Sequence, residues 1–151
     1  MGADIYLDSI HNHLRETYKP LLDTATARKR AAETDEDREK ARGDANEALN
    51  LMYSDGYFRD SYNSSSVFWQ MNISWWKDVG DMINDEGYLP IEQAKELRDL
   101  ILSREIPETL GEEFKESEAS EWIEHFKKKR EEFLNLLNLS IDLEEPLCCS
   151  I

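Results

Sequence analysis

Trp122-Ile-Glu-His-Phe-Lys-Lys-Lys-Arg-Glu-Glu-Phe-Leu-Asn-Leu-Leu-Asn-Leu-Ser-Ile141 is the stretch whose reading decides the fold class. Its apolar residues Trp122, Ile123, Phe126, Phe133, Leu136, Leu137 and Ile141 recur at the three- and four-residue intervals of one helical face. Lys127 to Arg130 form a basic band in its middle, and Pro146 ends it. Upstream, Pro90 opens a second helix with Ile91, Ala94, Leu97 and Ile101 at helical spacing, broken by Pro107. Thr109 and Glu112 have capping-box spacing and predict a further helix start there. Trp75, Trp76, Val79, Met82 and Ile83 predict a helix that carries all five inward and stops at Asn84-Asp-Glu-Gly87.

The N-terminal third reads differently. Ala3, Ile5 and Leu7 alternate with Asp4, Tyr6 and Asp8, the period of a short strand. A helix follows, capped by Asp8 or Ser9, with Ile10, Leu14, Tyr18, Leu21 and Ala25 inward; Pro20 predicts a kink or a fresh start. From Asp23 to Ala48 alanine is the only apolar residue, so residues 23–48 are expected to project as a charged helical hairpin. Thr34 with Asp37 places the bend near Ala32 to Asp35, and the returning stripe of Ala41, Ala45, Ala48, Leu49 and Met52 stops at Ser54-Asp-Gly56. Tyr57 to Trp76 holds most of the aromatics without a clean period and reads as a loop entering a short element at Val67 to Ile73. The tail Leu147-Cys-Cys-Ser-Ile151 is β-compatible and can pair beside the first strand. The expected fold is mainly α: one domain over residues 1–151, with an exposed charged hairpin and a small β pair made by the two ends.

Composition narrows the functional classes. The formal charge is −15. Residues 1–34 carry five acids and five bases, so all net charge lies beyond Thr34. Such a field repels nucleic acid and anionic membrane, keeps the chain in solution and attracts a basic protein partner. No apolar run approaches the roughly 18–20 residues of a membrane span, and no leader pattern opens the chain, so the expected compartment is the cytoplasm, with reduced thiols at Cys148 and Cys149. Tyr6 stands where a myristoylation signal wants Ser or Thr.

The chemistry-bearing patterns are sparse. With Gly87 as the sixth position of a calcium loop, positions one and twelve fall on Met82 and Gln93, which cannot serve. His11 and His13 point apart on a helix and His125 stands alone, so neither a metal nor a cofactor is expected. Tyr57, Arg59, Asp60, Tyr62 and Asn63 form the most specific cluster: a guanidinium fork, a carboxylate and amphipathic rings, the residue types of an interface or a small pocket. The structural alternative, favoured on burial grounds, is that they tie a long loop onto the core through buried hydrogen bonds.

Three segments carry a resemblance: Met1-Gly-Ala-Asp-Ile-Tyr-Leu7, Gly56-Tyr-Phe-Arg-Asp-Ser-Tyr-Asn63 leading to Ser74-Trp-Trp-Lys-Asp-Val79, and Glu145-Pro-Leu-Cys-Cys-Ser-Ile151. The chain resembles an uncharacterised family encoded by bacteria and bacteriophages, which implies a phage or prophage setting and no assigned activity. The leading expectation is a non-enzymatic interaction protein with a protein partner. The alternatives are an acidic imitator of nucleic acid that inhibits a host defence or DNA-processing protein, since a duplex offers about one charge per 1.7 Å, and, more weakly, a small enzyme using Arg59, Asp60 and Tyr62.

Overall fold

Apolar residues at helical spacing and two short alternating ends produce a chain that is mainly α with a small sheet. The computed structural model describes residues 2–151. Its principal elements are β1 (Gly2–Tyr6), α1 (Asp8–Ala31), α2 (Asp35–Met52), β2 (Tyr57–Ser61), α3 (Val67–Gln70), β3 (Tyr88–Leu89), α4 (Ile91–Leu102), α5 (Ala119–Leu143) and β4 (Leu147–Ser150). The contacts of the described residues divide into two units, one of residues 8–57 and one joining residues 2–7 to 58–151.

The unit of residues 8–57 is the α1–α2 hairpin. Thr34 caps α2 as its spacing predicts, its hydroxyl accepting from the Asp37 amide at 3.1 Å. Between Asp23 and Ala48 only Ala25, Ala41 and Ala48 are buried, so the two helices meet through methyl groups while charge fills the remaining faces. Arg28 and Asp44 bridge the pair at 2.6 Å. Two expectations change here. Pro20 lies inside one continuous helix and starts no new one, and Leu21, expected inward, is 57% exposed. A run of strict fours from Ile10 reaches Leu22, which is half-buried, and Leu21 lies 100° away from it around the axis. Gly56 closes the unit at φ +62°, where an added Cβ would stand 2.9 Å from the Ile10 Cβ.

The other unit is built on a sheet of order β2-β1-β4-β3. The two ends of the chain pair antiparallel as expected, Ile5 opposite Cys149 and Tyr6 opposite Cys148. The sheet nevertheless exceeds an end-to-end pair. β3 adds to β4, with Tyr88 opposite Cys148 and Leu89 opposite Leu147, and β2 adds to the other side of β1. Tyr57 to Ser61 is therefore a strand and not part of a loop. Its inward positions are Phe58 and Asp60, and a carboxylate on the inner face hides the period-two signal.

α5 supplies Phe126, Phe133, Leu136 and Leu137 to the core, and α4 supplies Ala94, Leu97 and Ile101. The Arg130 guanidinium reaches from α5 to the carbonyls of Ile101 and Arg104, both at 3.1 Å, satisfying acceptors freed at the end of α4. α5 ends with Glu144 at φ 52°, the Glu145 amide donating to the Ser140 carbonyl at 3.1 Å and the Glu144 amide to Ile141 at 3.2 Å, a Schellman arrangement. The helix start read at Thr109 is not formed: irregular backbone continues to a 3₁₀ turn at Glu116–Glu118. Gly111 between the two capping residues and Pro107 just before them weaken that initiation.

Candidate functional site

Asp60 organises the region around the aromatic segment. It is buried, and its carboxylate accepts from the Ser66 hydroxyl at 2.5 Å, the Val67 amide at 3.2 Å, the Phe68 amide at 3.4 Å and the Trp75 indole at 3.1 Å. The Ser66 hydroxyl in turn accepts from the amides of Phe68 and Trp69, capping α3. One inward carboxylate thus ties a strand, a helix start and an indole into a buried polar hub. Around it lie Phe58, Phe68, Trp75 and Phe133: Trp75 stacks on Phe68 at 4.0 Å and 5°, and Phe133 meets both rings edge-on.

Arg59, the next residue along the strand, points away from this hub. It is exposed, its Nε is 3.8 Å from the Asp4 carboxylate, and its carbonyl accepts from Lys129 Nζ at 3.0 Å. Tyr57 packs on Tyr53 at 4.7 Å and on His11 at 6.4 Å. Asn63 shapes the following turn, its side-chain oxygen accepting from the Ser65 amide at 2.9 Å and its carbonyl from Ser66. Of the cluster singled out in the sequence, Tyr62 lines one groove, whereas Arg59 and Asp60 line a separate opening with His125 and Lys129. The three do not converge on one opening: Arg59 and Asp60 face opposite sides of the strand, and Tyr62 lies beyond its end, in the other groove.

The groove has a volume of about 450 Å³ and is lined by nine residues, among them Tyr62, Trp69, Asn72, Trp75, Trp76 and Asp78. Trp69 and Trp76 are 59% and 60% exposed, and Tyr62 lies 5.0 Å from Trp76, ring to ring. Two local devices present these rings. α3 closes in a second Schellman arrangement: Asn72 takes φ 58°, its amide donates to Trp69, and the Ile73 amide donates to Phe68. Asn tolerates the left-handed conformation better than most residues, and the tight exit lets a single-turn helix hold Trp69 outward. The second device is a π-helical turn at Trp75–Val79. Ser74 accepts from the Lys77 amide at 3.1 Å and donates its own amide to Asp78 at 2.7 Å. In that turn Trp75 goes into the core and Trp76 faces out, which overturns the expectation that both are inward. Adjacent helical residues lie about 100° apart and cannot share one narrow face.

The Tyr62 hydroxyl is held above its ordinary value, first by burial and then by the Asp4 charge, so the phenol stays a neutral donor and acceptor at physiological pH. Asp78 is the only charged side chain in the lining. Trp69, Trp76, Asn72 and Asp78 went unrecognised in the sequence; the doublet Trp75-Trp76 carried the usable signal, since one of the two rings had to leave the core. Among the described residues no three His, Cys, Asp or Glu side chains converge to hold a metal, and no helix is long and apolar enough to cross a membrane. No known protein-family profile, curated protein or solved structure matches this chain.

Proposed function

We propose that this chain is an interaction protein that docks a segment of a partner protein in the groove between Tyr62, Trp69 and Trp76. The observation that carries this reading is the exposure of two tryptophans on one groove beside a fully packed aromatic core. A buried ring contributes roughly 25 cal/mol per Å² of apolar surface removed from water, so two indoles left in solvent forgo stabilisation that a partner can recover. Tryptophan and tyrosine are also the residues that most often dominate binding energy at interfaces. Asp60 belongs to the scaffold of this site, and Arg59 lies off it.

The experiment is capture of partners from a bacterial lysate, the setting suggested by the sequence resemblance, on wild-type protein and on Trp69→Ala/Trp76→Ala. A specific partner held by wild type and lost by the double variant, with an unchanged thermal melt, is the expected result. Equal retention by both proteins would place the interaction elsewhere and sink the proposal.

A further inference from the structure

We infer that the groove takes a cationic side chain, an arginine or lysine projecting from a basic segment of the partner protein. This rests on the reading of the groove as a docking surface and adds the chemistry of its occupant. Three observations converge. Tyr62, Trp69 and Trp76 present rings to one opening, and the π-face of an indole or phenol attracts a cation placed over it. Asp78, the only charged lining group, spends one carboxylate oxygen on the Ser74 amide, which fixes its position and leaves further acceptor capacity toward the opening. The chain carries −15 overall, so long-range attraction and local contacts favour the same sign of ligand. A planar guanidinium suits such a site best, because it can stack on an indole while donating to a carboxylate. Asn72 in the lining and the neutral Tyr62 hydroxyl add polar groups for the backbone that carries it.

The test uses acetyl-Gly-Arg-Gly-Arg-Gly-amide and its counterpart with citrulline in place of arginine, which has nearly the same shape and no charge. Each is titrated into the full-length protein while the indole N–H resonances of Trp69, Trp75, Trp76 and Trp122 are followed. The arginine peptide should shift Trp69 and Trp76 saturably and leave Trp122 in place, and the citrulline peptide should bind at least about tenfold more weakly. One lost cation–π face corresponds to roughly three- to thirtyfold in affinity, so Trp76→Ala should weaken the arginine peptide by that factor. Asp78→Asn, which keeps an acceptor for Ser74, should weaken it and flatten its salt dependence.

Equal affinity for the two peptides overturns the inference. So does an arginine-peptide affinity unchanged by Trp76→Ala and Asp78→Asn, which would mark binding to the acidic surface at large. The two proposals fail separately. Loss of a captured partner in the double tryptophan variant, together with equal peptide affinities, leaves a docking groove without charge preference. Retention of the partner by that variant removes the groove itself.

Discussion

Replacing Asp60 with alanine should destabilise the aromatic region as severely as removing a buried ring from it. The carboxylate receives four donors: the Ser66 hydroxyl, two amides and the Trp75 indole. Two of them are only partly affected by its loss, because the Phe68 amide keeps Ser66 as an acceptor at 3.1 Å and the Ser66 hydroxyl can rotate. The Val67 amide and the Trp75 indole are stranded in a site closed to water. At about 1–3 kcal/mol for each buried donor left unsatisfied, with a smaller loss at Ser66, the sum is about 3–5 kcal/mol. Asp60→Asn keeps the shape and one acceptor but turns an amide group toward the donors, so about 2–3 kcal/mol is expected. Guanidinium unfolding followed by tryptophan fluorescence reads these values, and a fall in melting temperature on the order of 10 °C should accompany the alanine change. The indole resonances of Trp69 and Trp76 should broaden as well, since Asp60 positions α3 and Trp75 behind the groove. An Asp60→Ala protein within about 1 kcal/mol of wild type would refute the hub.

Other perturbations test other links. Trp75→Ala should cost about 3–5 kcal/mol, whereas Trp76→Ala should change the melt by no more than about 0.5 kcal/mol, because one ring is packed and its neighbour is in solvent. Arg59→Ala should likewise cost under about 1 kcal/mol in the same denaturation assay, as expected for an exposed pair 3.8 Å apart. Glu144→Gly should raise stability by about 1 kcal/mol, since Glu144 holds φ 52° at an exposed helix end where glycine carries no Cβ penalty; a lower melting temperature would count against that reading. The Cys149 thiol is pushed up to about 12, first by burial and then by Cys148, with a Leu89 backbone hydrogen bond acting the other way. The unfolded chain loses this proton near its ordinary value while the folded chain keeps it, so stability present below about pH 9 declines at up to about 1.4 kcal/mol per pH unit as pH rises. Cys149→Ala should remove that part of the slope between pH 8.5 and 10.5.

Most of the helical architecture was legible in the sequence because each helix answers to a local rule. Phe126, Phe133 and Leu137 needed only their spacing, Thr34 and Asp37 needed only their separation, and the alanines between Asp23 and Ala48 announced a charged helical hairpin. The pairing of the two ends was also readable, from alternation at Ala3, Ile5 and Leu7 and a β-compatible tail. The rest depended on partners distant in the chain. That Asp60 ties its segment to the core by buried hydrogen bonds was the reading burial favoured, but its partners were not readable: only the arrival of Ser66, Val67 and Trp75 makes an inward carboxylate tolerable. β3 is two residues long and exists because β4 lies beside it. The groove was likewise hidden: a left-handed Asn72 and a π turn after Ser74 send Trp69 and Trp76 outward, and neither backbone device leaves a mark on residue periodicity. Composition and periodicity therefore determined that this chain folds as an acidic, mainly helical protein. Which aromatic rings stay in water was decided by the tertiary structure, in which Asp60 takes the Trp75 indole into the core and Trp69 and Trp76 are left on the surface.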